Sequence, residues 1–226
     1  ILREVLSIPA PGSIVVIKST ILPGTTKQLQ FAHEDLVLLH SPEFLREKHA
    51  KADTDAPPRT IIGKPEEAER HQDAAEMVMA LLPESPYQLI CTSDESELIK
   101  YGGNGFLMLK VVYMNLLYEL STTLSADYDV VASAMAADPR IGDSHMQVVD
   151  TSGHAGSKPG RGAGGHCFPK DWAALREFYK EVHPSDTLGV AFIEAVEQKN
   201  LDLLRHSIKD LDLLEAIYGL DAIVKR

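Results

Sequence analysis

The sequence predicts an α/β protein in which part of a doubly wound parallel sheet precedes an all-helical region. Two observations predict this order. Short apolar runs alternate with amphipathic helical patterns up to about residue 92, whereas the pattern from residue 93 onward has only helical spacing. Strands that alternate with helices usually pair in parallel through right-handed crossovers. We therefore predict two domains, residues 1–92 and 93–226.

The first region contains four apolar runs bounded by turn residues, and each is predicted to be a strand. They cover residues 14–18, 36–39, 60–63 and 88–91. A helix is expected from Pro23-Gly24 to about residue 33, with Thr25 or Thr26 as its N-cap. Residues 66–82 form a second helix with one apolar face.

The second region begins with a long helix, residues 94–124, that is apolar on most sides. Such a helix is usually buried between domains or subunits, so we expect a homodimer formed through it. Its three glycines, at 102, 103 and 105, are expected to allow close backbone approach. The following pattern predicts helices at 129–136, from 169, and from about 185 past 204, with a glycine-rich binding loop at 142–165.

Composition excludes several classes of protein. The net charge is -11, and no Lys/Arg cluster supplies the basic face that a nucleic-acid partner requires. No apolar run is long enough to span a membrane, so no membrane partner is expected. Two cysteines do not form a disulfide framework, which favours a cytoplasmic location. Cys91 ends an apolar strand and is expected to pack in the core.

Cys167 is the strongest candidate for chemistry. It follows Gly164-Gly165 and precedes a helix predicted to start at Pro169. Free N–H groups and partial positive charge at a helix N-terminus favour a thiolate, as does the neighbouring Lys170, and Asp171 would lie in the first turn. This arrangement indicates a nucleophile for covalent catalysis. The alternative is a small buried hydrophobic residue, the commoner fate of a free cysteine.

The segment 160–165 has G-x-G-x-x-G spacing, but no apolar strand precedes it, so we do not interpret it as a dinucleotide fingerprint. It is expected either to fold over a ligand, with Lys158 and Arg161 available to phosphate, or to be a mobile, solvated loop. The histidines and cysteines have no metal-ligand spacing, and no metal site is predicted.

Two further pairs of polar residues are four positions apart, the spacing that places two side chains on one face of a helix. Lys100 and Asn104 share a face of an otherwise apolar helix, so they need an internal or ligand partner unless that face is exposed. Glu43 and Glu47 are one turn apart, just after a strand. Because ligands of doubly wound sheets bind beyond the carboxyl ends of the strands, Ser19-Thr20 and Glu43 are expected at a binding edge.

Five segments, taken in chain order, resemble motifs of the UDP-glucose/GDP-mannose dehydrogenase family. They are Ser19-Thr20-Ile21-Leu22-Pro23-Gly24-Thr25-Thr26, Ser41-Pro42-Glu43-Phe44-Leu45-Arg46-Glu47, Glu97-Leu98-Ile99-Lys100-Tyr101 with Asn104, Asp138-Pro139-Arg140-Ile141-Gly142, and Gly164-Gly165-His166-Cys167-Phe168-Pro169-Lys170-Asp171. The resemblance implies the C-terminal part of a Rossmann-like NAD-binding domain followed by the helical central dimerisation domain. The chain is therefore expected to be a central portion, without the glycine fingerprint of the family's N-terminal βαβ unit.

The resemblance also implies an activity. The family oxidises the C6 alcohol of a nucleotide sugar to a carboxylate, using two NAD+ in turn. UDP-glucose is the favoured substrate, and GDP-mannose and UDP-N-acetylmannosamine remain open. The alternative is a non-catalytic, truncated module that dimerises and binds a nucleotide sugar.

Roles for individual residues follow from the same resemblance. Cys167 would attack the C6 aldehyde to give a thiohemiacetal, which is oxidised to a thioester and hydrolysed. Lys100 and Asn104 would stabilise the oxyanion at C6. Asp171 would help to deprotonate the alcohol, through water.

The remaining implied roles concern the proton path, the cofactor and the substrate. Glu43 and Thr20 would position the water and the proton path. Glu47 and Lys170, together with Thr20, would face the nicotinamide. The implied substrate-binding residues are Glu43, Phe44, Leu45, Arg46, Lys100, Asn104, Arg140 and Gly164, of which Arg140 could reach the substrate of a neighbouring subunit.

Overall fold

The computed structural model describes residues 2–45, 49–154 and 156–219. The chain forms two compact units, Ile1–Gly102 and Gly103–Arg226. The division falls inside a long helix, Ser93–Thr123, and the predicted domain boundary coincides with the start of that helix. In the part of the chain that is described, no helix is both long enough and apolar enough to span a bilayer.

The first unit is a four-stranded sheet with helices, and all four predicted strands are present. Its elements are α1 (Leu2–Val5), β1 (Ile14–Ile17), α2 (Thr25–Ala32), β2 (Val37–His40), α3 (Ala50–Asp55), β3 (Thr60–Lys64), α4 (Glu69–Leu81), β4 (Gln88–Thr92) and the start of α5 (Ser93–Thr123). The predicted fold class, a Rossmann-like sheet followed by a helical region, is confirmed. The short helix α3 has no counterpart among the predicted elements.

The sheet is mixed and has the order β1-β2-β3-β4. β1 pairs with β2 in parallel, and so does β3 with β4, but β2 and β3 are antiparallel. The prediction of a uniformly parallel sheet is therefore wrong at this one pair. The reason lies in α3, which has six residues and buries only Asp53, so it cannot cover the sheet as a crossover helix does.

Helices cover both faces of this sheet. Adjacent residues of a strand point to opposite faces, and β2 shows this with Leu38 and Leu39. Leu38 packs in the cluster that contains Leu29 of α2, whereas Leu39 packs with Ala74 and Ala75 of α4. The two separate clusters are the physical basis of the doubly wound arrangement.

The N-cap of α2 differs from the prediction. Gly24 occupies that position with φ 90°, rather than Thr25 or Thr26. The carboxylate of Glu97, on α5, instead accepts hydrogen bonds from Gly24 N at 2.6 Å and from Thr26 N at 2.9 Å. A tertiary carboxylate thus satisfies the free N–H groups that a local hydroxyl was expected to bind. Burial raises the pKa of Glu97, while its hydrogen bonds with Thr26 oppose that effect.

The second unit is helical, as predicted. After α5 it contains α6 (Tyr128–Ala136), β5 (Val149–Asp150), β6 (Gly160–Arg161), α7 (Phe168–Val182), α8 (Thr187–His206) and α9 (Leu211–Tyr218). The two short strands form an antiparallel ribbon inside the predicted loop. The core of the second unit includes Met108 and Val112 of α5, Trp172 of α7 and Val196 of α8.

The long helix α5 is not buried on all sides. Its buried face carries Met108 and Val112, whereas a stripe of large apolar side chains is exposed, namely Phe106, Tyr113, Leu116 and Leu120. A glycine is not sterically required at two of the three glycine positions in this helix. A Cβ at Gly102 would meet nothing within 4 Å, and one at Gly105 would make ordinary contacts at 3.6 Å. The predicted close approach is therefore wrong within the chain at these two positions.

Candidate functional site

The predicted site residues are distributed over both units. Those of the first unit are Thr20, Glu43, Phe44, Leu45 and Lys100, and those of the second are Asn104, Arg140, Gly164, Cys167, Lys170 and Asp171. Arg46 and Glu47 lie outside the described residues.

In the first unit, Thr20 and Glu43 follow two strands that run in parallel. Ile17 pairs with His40 at the ends of β1 and β2, so the residues beyond them leave the sheet at the same edge. The expected position of both residues beyond the carboxyl ends of the strands is confirmed, and binding at this edge stays a prediction. Glu43 forms a half-exposed ion pair with Lys18 at 2.9 Å, and its backbone oxygen accepts a hydrogen bond of 2.6 Å from Lys100 Nζ.

Two cations lie over the ring of Phe44. The guanidinium carbon of Arg59 is 3.8 Å from the ring centroid, and Lys100 Nζ is 5.5 Å from it. Such contacts add a modest attraction and restrain the ring. Partial burial lowers the pKa of Arg59. The ring and both cations restrain residues 41–45, which follow β2. These residues line part of a small pocket.

A buried histidine links this edge to α5. His40 Nδ1 lies 2.8 Å from Ser96 Oγ, and Nε2 lies 3.3 Å from the carbonyl oxygen of Ser19. Burial lowers the pKa of His40 to about 4, and Lys18 and Lys100 act in the same direction. The ring is therefore neutral at pH 7. Because a carbonyl can only accept, we assign the proton to Nε2, which leaves Nδ1 to accept from the Ser96 hydroxyl.

In the second unit, Cys167 is exposed and occupies the N-cap position of α7. Asp171 lies one turn later, where its N–H donates to Cys167 O at 2.8 Å. The predicted helix start is confirmed, and the alternative of a buried cysteine is wrong. The side chain of Asp171 is 2% exposed. It accepts a hydrogen bond of 2.6 Å from Asn104 Nδ2 and forms an ion pair with Lys170.

The glycine-rich segment before Cys167 is not solvated. Gly160 and residues 162–165 are buried, so the interpretation as a mobile, solvated loop is wrong for this stretch. Arg161 donates to Asn115 Oδ1 at 2.9 Å and pairs with Glu119 at 3.1 Å. Its guanidinium is thus bound to α5, and the expectation that it is available to phosphate is wrong in this structure. Lys158 is exposed.

Two predicted residues lie apart from these groups. The side chain of Arg140 is 87% exposed, and its guanidinium binds both carboxylate oxygens of Asp138. Cys91 is half-buried in β4, and burial raises the pKa of its thiol to about 11. A thiol of that pKa stays protonated at neutral pH, but the expected core packing of Cys91 is met only in part, because the residue is half-buried.

Comparison with known proteins identifies the family of this chain. Residues 1–81 match the model of the NAD binding domain of the UDP-glucose/GDP-mannose dehydrogenase family, and residues 94–202 match the central domain of the same family. The chain belongs to the UDP-glucose/GDP-mannose dehydrogenase family. The first of these matches identifies NAD as the cofactor.

Individual relatives agree with this membership. UDP-glucose 6-dehydrogenase of Rhizobium meliloti is 34% identical over 180 residues, which are 76% of this chain and 39% of that protein. A UDP-glucose dehydrogenase structure from Pyrobaculum islandicum has 31% identity and a TM-score of 0.67, covering 86% of this chain and 44% of that one. The UDP-D-ManNAc dehydrogenase of Pyrococcus horikoshii, at 21% identity and a TM-score of 0.69 over 89% of this chain and 45% of that one, shares the fold. The chain spans less than half the length of each of these dehydrogenases.

The edge described above has the position that a dinucleotide takes in doubly wound sheets. The parallel pair β1 and β2 presents polar residues, Thr20 and Glu43, beyond its carboxyl ends, where doubly wound sheets bind dinucleotides. Sequence reasoning missed Arg59 and His40. His40 could have been suspected, because a polar residue at the end of an apolar strand needs a buried partner.

Proposed function

We propose that this chain is the central portion of an NAD-dependent nucleotide-sugar 6-dehydrogenase that oxidises the C6 alcohol of UDP-glucose to a carboxylate. The observation that carries the proposal is Cys167, an exposed thiol at the N-terminus of α7 with the buried carboxylate of Asp171 one turn later. A helix N-terminus favours the thiolate, which is the nucleophilic form.

The proposed reaction has four steps. The C6 alcohol is oxidised to an aldehyde, Cys167 Sγ adds to the aldehyde carbon, the thiohemiacetal is oxidised to a thioester, and water hydrolyses the thioester to release the carboxylate and the thiol. NAD+, when bound, supplies the hydride acceptor for both oxidations. Covalent attachment keeps the aldehyde in the site between them.

The family resemblance assigns hydrogen-bond donors and a base to this chemistry. The developing oxyanion at C6 would accept hydrogen bonds from Lys100 Nζ and Asn104 Nδ2, groups with three and two donor hydrogens. Asp171, which Asn104 already contacts, would take the alcohol proton through a water molecule. Glu43 and Thr20 would hold that water and lead the proton to solvent.

The remaining assignments are also proposals. Glu47 and Lys170 would face the nicotinamide, with Thr20. The backbone of Phe44-Leu45-Arg46 and of Gly164 would hold the nucleotide sugar, and Arg140 would reach a substrate from the surface of the second unit. The exposure of the Arg140 side chain supports that last role, because a surface guanidinium can exchange Asp138 for a phosphate.

We propose UDP-glucose rather than another nucleotide sugar because the more similar relatives are named for UDP-glucose. Proteins named UDP-glucose dehydrogenases are 31% and 34% identical to this chain, whereas the UDP-D-ManNAc dehydrogenase is 21% identical. GDP-mannose and UDP-N-acetylmannosamine remain as comparison substrates. We also propose a cytoplasmic location, because two cysteines in a chain of this length do not form the disulfide framework of a secreted protein.

The decisive experiment measures NADH formation by the complete enzyme with each of the three nucleotide sugars. We expect UDP-glucose to be oxidised with two NADH per sugar, and Cys167→Ala to abolish that turnover. Cys91→Ala is the matched control, because it removes the other thiol, and it should retain activity. Normal turnover in Cys167→Ala would overturn the mechanism, and oxidation of GDP-mannose alone would overturn the substrate.

The second candidate function is a non-catalytic module that dimerises and binds a nucleotide sugar. The exposed stripe on α5 supports the dimerisation. Phe106, Tyr113, Leu116 and Leu120 are between 41% and 65% exposed and lie along one side of the helix. We propose that a second copy of the chain covers them. Calorimetry separates the two functions: a complete protein that binds UDP-glucose but not NAD+ would be the module.

A further inference from the structure

We propose that two buried residues distant in sequence from Cys167, Asn200 and Asp210, are positioning residues that fix the loop carrying this thiol. The inference rests on the proposed role of Cys167 as nucleophile. It concerns contacts within the second unit alone. Neither residue belongs to the five motifs that resemble those of the family, and the sequence predicts no role for either.

Asn200 binds the loop as a neighbouring strand would. Its Oδ1 accepts from Ala163 N at 2.7 Å, and its Nδ2 donates to Ala163 O at 2.9 Å. The residue is 1% exposed, so both bonds are shielded from water. A primary amide offers a donor and an acceptor side by side, which is what the two groups of one backbone residue require. The amide therefore fixes both the place and the orientation of Ala163.

Asp210 binds the loop two residues further on. Its Oδ2 accepts from Gly165 N at 2.8 Å and also binds the hydroxyl of Ser152. The side chain is 1% exposed. A Cβ at Gly164 would clash with this same oxygen, so the carboxylate packs directly against the glycine backbone. The contact with Asp210 thus requires glycine at position 164.

Neighbouring side chains complete the contacts. Lys209 Nζ donates to Gly162 O at 2.9 Å, and Ser207 Oγ accepts from Arg161 N at 2.9 Å. Residues 161, 162, 163 and 165 therefore each have a backbone group bound by a side chain from residues 200–210. This is an arrangement in which one segment dictates the path of another.

The loop in turn determines where the thiol lies. Cys167 is exposed and occupies the N-cap of α7, so core packing does little to hold it. The buried backbone ends two residues before it, at Gly165. Because catalysis needs reacting atoms held within a fraction of an ångström, releasing this backbone should slow the chemical steps more than it weakens binding.

The test compares variants of the complete enzyme with controls of similar location. Asn200→Ala and Asp210→Ala remove the bonds to the loop. Gln198→Ala changes an exposed residue of α8, which contains Asn200, and Asp212→Ala changes an exposed residue of α9, whose N-cap is Asp210. Leu214→Ala removes a fully buried side chain that packs with Leu201 and Leu204, and so lowers stability without removing a hydrogen bond to the loop. We measure kcat and KM for UDP-glucose, together with hydrogen exchange of the amides of Ala163 and Gly165.

We expect kcat to fall about 10- to 100-fold in Asn200→Ala and Asp210→Ala, on the scale of a misplaced reacting group. Hydrogen exchange of the Ala163 amide in Asn200→Ala, and of the Gly165 amide in Asp210→Ala, should be at least about tenfold faster. In each variant that amide loses its acceptor. The three controls should keep kcat within about twofold of the parent enzyme. Asp210→Asn retains an acceptor of the same size, so its kcat should lie between those of the parent and Asp210→Ala.

The outcomes separate this inference from the proposed function. If Cys167→Ala is inactive but both alanine variants keep the parent kcat, the positioning role is wrong and the nucleophile stands. If Leu214→Ala loses as much kcat as Asp210→Ala, the effect is general instability and the inference is wrong. Should both alanine variants fail to fold, Asn200→Asp replaces the donor to Ala163 O by a carboxylate oxygen, and a parent-like kcat in that variant would contradict the inference.

Discussion

Asn104 and Asp171 are joined by a hydrogen bond of 2.6 Å from the amide Nδ2 to the carboxylate Oδ2. The two residues are 67 positions apart in sequence, on α5 and α7, and the carboxylate is nearly inaccessible to water. The partner that Asn104 was expected to need is thus internal in this structure. A substrate that used the Asn104 amide would have to compete with Asp171 for it.

Replacing Asn104 by Leu should destabilise the second unit. One oxygen of the buried Asp171 would lose its donor, and such a loss costs about 1–3 kcal/mol. Urea unfolding of the chain, followed by circular dichroism, measures the change. The control is Gln198→Leu, which alters an exposed residue and should shift the unfolding free energy by less than about 0.5 kcal/mol. Equal stability of the two variants would show that the amide does not support Asp171.

His40 should make the stability of the first unit depend on pH. Its pKa is lowered from 6.5 to about 4 in the folded chain. Between these pH values the unfolded chain therefore binds a proton at this residue that the folded chain does not bind. Stability is therefore complete above pH 6.5 and falls as the pH drops from 6.5 to about 4. The loss is on the order of 2–3 kcal/mol.

Urea unfolding at several pH values measures this dependence. His40→Asn should flatten the slope in that window. Ser96→Ala removes the hydroxyl next to His40 Nδ1 but keeps the titrating ring, so it should retain a positive slope. An unchanged slope in His40→Asn would assign the dependence to other groups, such as the buried His71, whose pKa burial also lowers.

Two glycines should respond in opposite ways to a methyl group. A Cβ at Gly63 would lie 2.6 Å from Ser96 Cβ and 2.7 Å from Ser93 Cα, so Gly63→Ala forces β3 away from α5 and should cost about 1–3 kcal/mol. Gly102 has open space, and Ala is the better helix former. Gly102→Ala should therefore stabilise the chain by about 0.5–1 kcal/mol. Thermal unfolding compares them, and a stabilising Gly63→Ala would contradict the close approach.

The exposed stripe of α5 predicts the association state. Leu120→Glu places a charge in the proposed interface and should weaken self-association at least about tenfold, because an unpaired charge is costly to bury. Leu188→Glu is the matched control, since Leu188 is 82% exposed and lies on α8 rather than on α5. Sedimentation velocity over a range of concentrations measures both. An unchanged dimer in Leu120→Glu would show that another surface forms it.

The sequence by itself determined the elements and the position of Cys167. The spacing of apolar residues predicts strands and helices, and residues such as Pro169 locate the start of a helix to within a few positions. Local pattern alone therefore predicted that Cys167 lies at the start of α7 and that Asp171 lies in its first turn. The same kind of pattern also located the carboxyl ends of β1 and β2.

Only the tertiary structure decided which partners these residues meet. The antiparallel pairing of β2 with β3, the carboxylate of Glu97 that binds Gly24 N, and the contact of Asp210 with Gly165 join segments far apart in sequence. Periodicity describes which face of an element is apolar but not which element covers it. Such contacts depend on how several faces pack at once, and for that reason the residues that hold the Cys167 loop emerged only from the fold.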